Sequence, residues 1–394
     1  MQETFVFELA ILLAASFTGG LLVRKLGYPM ALGELLIGVV IGPFAFGFVR
    51  QTEMVSMFAE LGAIILLFYI GLETKMDMLK KYFLPSIIVA ISGAILPLIL
   101  GYYGGMLIGF SWQESLFLGT VLTATSLGIT VRMLTDMKKL HTPFGMVILG
   151  AGIIDDVIAV VMLTIILDIL VGQLDFGSIG MILFEVVAFF SVILVVGTRV
   201  LTKVLDSTRI TIENLLIILL SLCLLVAYLA SEAGLSTIIG AFAIGVSLSG
   251  LKRILTVLQK GKSLYIFFVP IFFVSIGMLI DINLFTKNII PSLFITAIAM
   301  AGKVGGCGIA ALITGSSRKN ALRIGIGMSP RGEMGLIIAG IGLASGTIGG
   351  DIFTISIIAV VFTTLIGMPA LKIILKGSIE PQPKKEDIEN IETD

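Results

Sequence analysis

Apolar runs of about 20 residues follow one another along almost the whole chain, separated by short polar stretches. A run of that length crosses about 30 Å of hydrocarbon as an α-helix. In that medium a single segment can satisfy its own backbone hydrogen bonds only as a helix. Only 13% of the residues are charged, against about 25% in a soluble domain. A water-soluble fold is therefore excluded, and the sequence is that of an all-α polytopic membrane protein whose main solvent is the lipid bilayer. The 45 glycines suit closely packed membrane helices. The formal net charge is zero, so nothing points to nucleic acid. Cys223 and Cys307 lie in different apolar runs without metal-ligand spacing and read as buried small hydrophobes. The first run lacks a small-residue cleavage pattern and reads as a retained helix.

The pattern predicts 13 transmembrane helices, at about 4–23, 30–48, 54–72, 84–107, 113–136, 142–170, 178–201, 212–230, 236–251, 263–280, 288–314, 320–346 and 351–375. Of the 26 basic residues, 22 fall in the loops after odd-numbered spans, at the span ends that adjoin those loops, or at the C-terminal end; only Arg50 and Lys287 fall in the other loops. The positive-inside rule then places the N-terminus outside and the C-terminus in the cytoplasm of a multi-pass cell-membrane protein. Two cations remain, Lys303 and Arg331, both within predicted spans. A charge there is costly and is expected to have a partner or a task. Asp155 and Asp156, adjacent in span 6, and Glu333 in span 12 share that status, with Glu34, Glu60 and Glu185 as weaker members. The polar tail 377–394 reads as disordered. It is too short for a soluble regulatory domain.

Span 12 contains Ser329-Pro-Arg-Gly-Glu333. Pro330 removes a backbone donor and clashes with the preceding turn, so an unwound segment is expected at about 328–332. Span 5 contains Thr123, Thr125 and Ser126 but no proline. Their hydroxyls either hold an interrupted helix or form a polar face against a neighbour. Spans 5 and 12 are seven apart and run in opposite directions. Two discontinuous crossing helices at matching places in inverted halves are the sequence mark of a secondary transporter with its site at the midplane. Spans 1–6 and 8–13 are then two inverted repeats, joined by span 7.

Neighbours on a helix point about 100° apart. Asp155 and Asp156 therefore do not hold one atom in the same way: one can face a cavity, the other a packed neighbour, for which Lys303 is the evident partner. Burial raises a carboxyl pKa and a nearby ammonium lowers it. A carboxylate that takes either a proton or a cation, but not both, couples the two by competition. Hydroxyls and freed carbonyls at 123–126 offer the oxygen ligands a hard cation prefers. An intramembrane aspartyl protease would need two carboxylates facing across a gap, which adjacent residues do not provide. A channel, or a symporter of an organic anion, remains as an alternative class. His141, the only histidine, stands at the start of span 6, as a solvated loop residue or as a group titrating near neutrality.

In order along the chain stand the stretch from Arg24-Lys-Leu-Gly-Tyr-Pro to Gly-Pro43, Glu60-Leu-Gly-Ala to Gly-Leu-Glu73, Thr123-Ala-Thr-Ser126, Ile154-Asp-Asp156, Lys303 and Ser329-Pro-Arg-Gly-Glu333. In this set the chain resembles the monovalent cation:proton antiporters, specifically the bacterial NapA-type sodium/proton antiporters. The resemblance implies an NhaA-like fold and an elevator mechanism in a homodimer. It implies scaffold and dimerisation helices 1–3 at residues 1–80, ion-transport core helices 4–6 at 81–172, and linker helix 7 at 173–206. Scaffold helices 8–10 follow at 207–284 and core helices 11–13 at 285–376. It implies that Asp156 is the main carboxylate for Na+ (or Li+) and protons, with Thr125 and Ser126 nearby. Asp155 would pair with Lys303 and part from it when the ion binds, while Arg331 and Glu333 would tie the span 12 break to the core. It implies no cofactor beyond the transported ions. Two aspartates go with electrogenic exchange in this family. Relatives with an uncharged first residue tend to be electroneutral or potassium-linked, and potassium-efflux relatives carry a nucleotide-binding domain. The residues here favour sodium, with potassium exchange on the same scaffold as the alternative.

Overall fold

The computed structural model describes residues 2–26, 28–171, 176–207, 210–280, 288–344 and 346–375, and the expected disordered tail lies outside them. The described residues are all-helical, without strands. The helices are α1 (Gln2–Lys25), α2 (Met30–Ile41), α3 (Glu53–Glu73), α4 (Met76–Leu107), α5 (Trp112–Val121), α6 (Leu127–Asp136), α7 (Pro143–Val171) and α8 (Phe176–Val195). A π-helical turn, Val196–Leu201, leads into α9 (Thr202–Ser207). Then come α10 (Ile212–Glu232), α11 (Thr237–Leu248), α12 (Ile254–Met278), α13 (Ile289–Ile313), α14 (Arg318–Gly327), α15 (Glu333–Ala344) and α16 (Gly350–Leu375). Nine helices among the described residues are long and apolar enough to cross a membrane; Met30–Ile41, Thr237–Leu248 and Met334–Leu343 are apolar but shorter.

Polar punctuation in the sequence sets the helix starts. Thr52, Thr211, Ser236 and Ser317 each accept a backbone N–H of the following helix. Ser111 and Glu114 form a reciprocal capping box on α5. The second apolar run ends earlier than its hydropathy suggests: α2 stops at Ile41, because Gly42 leaves the helix with extended backbone and Pro43 cannot continue it.

The helices pack in two groups. In one, α1, α2, α3, α10, α11 and α12 lie chiefly against one another; in the other, α4 to α7 pack with α13 to α16. Lipid offers no hydrophobic force between helices, so close backbone approach has to supply the contact. A Cβ at Gly38 of α2 would land on the Val274 carbonyl of α12, and one at Gly277 of α12 on the Leu35 carbonyl of α2. In the second group α4 packs on both α7 and α13. Both cysteines are buried, Cys307 with its thiol towards the Val89 carbonyl at 3.7 Å. The second group repeats one order of elements: a long helix, an interrupted helix and a long helix, as α4, α5/α6, α7 and again as α13, α14/α15, α16.

Candidate functional site

Both interruptions lie inside the second group and against each other. α5 ends at Val121 and α6 begins at Leu127; α14 ends at Gly327 and α15 begins at Glu333. The unwinding expected at 328–332 is present. Span 5, left open between a break and a polar face, is broken. The reason lies in its partner. The backbone N–H of Ser126 donates to the Pro330 carbonyl at 2.9 Å. The Thr125 hydroxyl donates to the Met328 carbonyl at 3.2 Å and the Thr130 hydroxyl to the Gly327 carbonyl at 2.8 Å. Each break thus supplies groups that the other helix lost, which lets irregular backbone persist at depth.

Arg331 locks the crossing. It is 1% exposed. Its Nε and Nη2 donate to the Leu122 carbonyl at 3.2 and 2.5 Å, Nη1 donates to the Ser329 carbonyl at 3.2 Å, and Nη2 reaches the Ala299 carbonyl at 3.4 Å. Its backbone exchanges hydrogen bonds with the Thr364 hydroxyl of α16. The guanidinium therefore rests on the C-terminal, partly negative end of α5. Thr123 turns back on its own helix, donating to the Thr120 carbonyl at 2.7 Å. Ser126 is buried at the start of α6, and its Oγ has no hydrogen-bond partner among the described residues. The Glu333 side chain lies outside the described residues.

Asp155 and Asp156 stand midway along α7, 1% and 6% exposed. Lys303 on α13 reaches Asp155 with Nζ 2.8 Å from Oδ1, both side chains buried. The other oxygen, Oδ2, is buried without a hydrogen-bond partner among the described residues. A buried pair with one oxygen left over is poorly compensated for the desolvation of two charges. That is unfavourable for a purely structural ion pair and suitable for one that opens.

The basic-residue pattern needs one correction. Lys303 and Arg331 are not the only buried cations: Arg132, Arg323 and Lys372 are 7%, 4% and 3% exposed. Each lies at a span end and faces an aromatic ring, respectively Tyr265, Phe144 and Tyr28. Arg132 also anchors a polar cluster between the two packing groups. Its Nη1 donates to the Tyr265 hydroxyl of α12 at 2.6 Å, and its Nε lies 3.2 Å from Asp136 Oδ1. The start of α2, at Met30 and Ala31, lies against Asp136. Glu34 on α2 is buried, with Oε2 lacking a hydrogen-bond partner among the described residues. A cavity of about 400 Å³ opens beside this cluster, lined by Glu73, Arg132, Asp136 and Tyr265. Towards the other end of α3 a cavity of about 470 Å³ is lined by Gln51, Glu60, Thr237 and Ser275. Glu60 there accepts a hydrogen bond from Thr237. His141, in the loop between α6 and α7, is exposed at its surface, while the surrounding protein mass pushes its pKa down.

The site as a whole combines a buried ion pair, an adjacent carboxylate, two crossing helix breaks and polar cavities towards opposite ends of α3. Comparison with known proteins identifies the family of the chain. The family model described as "Sodium/hydrogen exchanger, transmembrane" matches residues 12–377. The chain is similar to the Na(+)/H(+)-K(+) antiporter GerN of Bacillus cereus, 38% identical over 94% of this chain and 96% of the relative. It is similar to a Na(+)/H(+) antiporter of Enterococcus hirae, 35% identical over 94% of this chain and 98% of the relative. Its fold is similar to that of the sodium proton antiporter MjNhaP1 from Methanocaldococcus jannaschii, with a TM-score of 0.69 at 17% identity, covering 96% of this chain and 99% of that one.

Proposed function

The chain belongs to the sodium/hydrogen exchanger family, and from that premise we propose that it is an electrogenic sodium/proton antiporter, with Na+ (or Li+) and protons competing at buried aspartates. The observation that carries this reading is the Asp155–Lys303 pair, 2.8 Å and fully buried, on the same helix turn as a second carboxylate, Asp156.

Asp156 is the cation and proton carboxylate. We assign Thr125 and Ser126, at the α5/α6 break, as its neighbouring oxygens; the Ser126 hydroxyl, buried and without a hydrogen-bond partner among the described residues, is the oxygen with most to gain from a hard cation. When a cation is bound at Asp156, Asp155 parts from Lys303; when the cation leaves, the pair re-forms and two protons are taken up for the one cation released, which leaves one net charge moved per cycle. Arg331 holds the carbonyl end of α5 and Pro330 keeps α15 from fusing with α14, so the crossing stays open to the ion. Thr123 and Glu333 complete the set as supporting residues.

The architecture proposed is 13 spans in two inverted repeats of NhaA-like fold, with the N-terminus outside and the C-terminus cytoplasmic. The order α4, α5/α6, α7 repeated in α13, α14/α15, α16 supports the repeats. Spans 4–6 and 11–13 form the moving core, spans 1–3 and 8–10 the scaffold of a homodimer, and span 7 the linker; the two packing groups support that division. Exchange is of the elevator type, and the pair of aspartates carries charge across in each cycle.

Reconstituted in proteoliposomes, the protein should dissipate an imposed pH gradient on addition of Na+ or Li+. Asp156→Ala should abolish the response, and an active mutant would overturn the site assignment. The second reading, potassium/proton exchange, is favoured by the name of the Bacillus cereus relative, which includes potassium. A response to K+ equal to or above that to Na+ in the same vesicles decides for it.

A further inference from the structure

A cavity of about 370 Å³ lies between the two packing groups, apart from the aspartates and the crossing. Its walls come from Leu79 and Phe83 of α4, Ile153 of α7, Phe190 and Leu194 of α8, and Phe242 of α11. Ser86 borders it but spends its hydroxyl on the Tyr82 and Val147 carbonyls, at 2.7 and 3.3 Å. The cavity therefore offers almost nothing to water. An engineered apolar cavity of about 150 Å³ already admits a benzene-sized molecule. This one is more than twice that size, and leaving it void would forfeit the contacts of its whole lining.

The mouth has a different character. Lys80 borders the cavity and is exposed, and Phe83 beside it is 59% exposed. No carboxylate among the described residues forms an ion pair with Lys80. Lys81, next to it, lies over the Tyr82 ring at 5.6 Å. α8, which forms one wall, belongs to the most exposed of the long apolar helix stretches among the described residues, with 11% of its most apolar part buried. An apolar slot opening from a lipid-facing surface, with an ammonium at its lip that has no ion pair among the described residues, matches one kind of molecule in both its parts.

We infer that this slot binds a membrane phospholipid with an anionic headgroup, one acyl chain inserted between α4/α7 and α8/α11 and the phosphate at Lys80. Lysine at a span end places its charge at headgroup level while its stem lies along apolar surface. The inserted chain reaches Ile154, the residue before Asp155. It therefore fills space between the two groups of helices, independently of which cation the protein handles.

The test measures thermal unfolding of the full chain in detergent with added dioctanoyl phosphatidylglycerol, dioctanoyl phosphatidylcholine or glycerol 3-phosphate. Phosphatidylglycerol should raise the midpoint by several degrees more than phosphatidylcholine, and glycerol 3-phosphate should not raise it. Lys80→Gln, at an exposed position, should reduce the phosphatidylglycerol shift to that of phosphatidylcholine. Ala243→Phe and Leu194→Trp, which fill the slot from α11 and from α8, should remove both shifts and lower the lipid retained in native mass spectra. Equal shifts with both lipids, stabilisation by glycerol 3-phosphate alone, or full shifts in Leu194→Trp would overturn the inference. None of these outcomes bears on the antiport reading, which is measured by ion flux.

Discussion

Asp155 meets Lys303 through one oxygen only, and this fixes what each substitution should do. Lys303→Gln leaves a carboxylate buried without its cation, a change that typically costs about 3–5 kcal/mol. The thermal midpoint in detergent should fall clearly. Asp155→Asn combined with Lys303→Gln should recover most of the loss, because two neutral amides need no counter-charge. If the double mutant is as unstable as the single one, the pair is not what the stability rests on. Solid-supported-membrane currents should also show altered charge movement per cycle in Lys303→Gln. Lys303 was legible in the sequence because it stands alone in a long apolar run. Arg132, Arg323 and Lys372 were not. They lie at span ends, where a sequence does not distinguish a cation that reaches water from one that folds back. The rings that receive them, on Tyr265, Phe144 and Tyr28, come from elements distant in sequence.

At the scale of the element, the two interruptions were unequally legible for a physical reason. Pro330 announces its break locally, by the hydrogen bond it cannot make. The break at 122–126 has no such residue; it is held by the Pro330 and Met328 carbonyls and by Arg331, some 200 positions away. The crossing is therefore a joint property of two helices, and its packing should be sensitive at the point of nearest approach. A Cβ at Gly332 would lie 2.8 Å from Ser126 Oγ and 3.0 Å from Ser126 Cβ. Gly332→Ala should push α6 and α15 apart and cut cation-dependent proton flux by an order of magnitude or more, while expression and oligomeric profile on gel filtration are retained. Flux at the wild-type level would show that the breaks tolerate separation.

Across the whole molecule, the apolar runs and their polar punctuation foretold a helical membrane protein, whereas hydropathy carries no division into two packing groups. What the sequence withheld is how the groups touch. The glycine contacts of α2 with α12 show backbone against backbone within one group. Between groups the Arg132–Tyr265–Asp136 cluster supplies a polar bridge. Tyr265→Phe removes the acceptor of a charged hydrogen bond, an interaction worth about 1.5–3 kcal/mol. Deuterium uptake should rise in α6 and at the start of α2 and stay unchanged in α13. Uptake unchanged in α6 would show that the cluster does not restrain the two groups.

The two cysteines have a practical consequence. Cys223 is 1% exposed and Cys307 0%, each within a packed helix. Thiol reagents need an accessible thiolate. The unmodified chain should accordingly stay unlabelled by a membrane-impermeant maleimide in intact cells and in detergent, as an intact-mass measurement would show. A single reporter cysteine, placed at Leu255 or Leu107, could then be introduced directly into the natural sequence. Its labelling from one side of the membrane or the other would read out topology with no background to subtract.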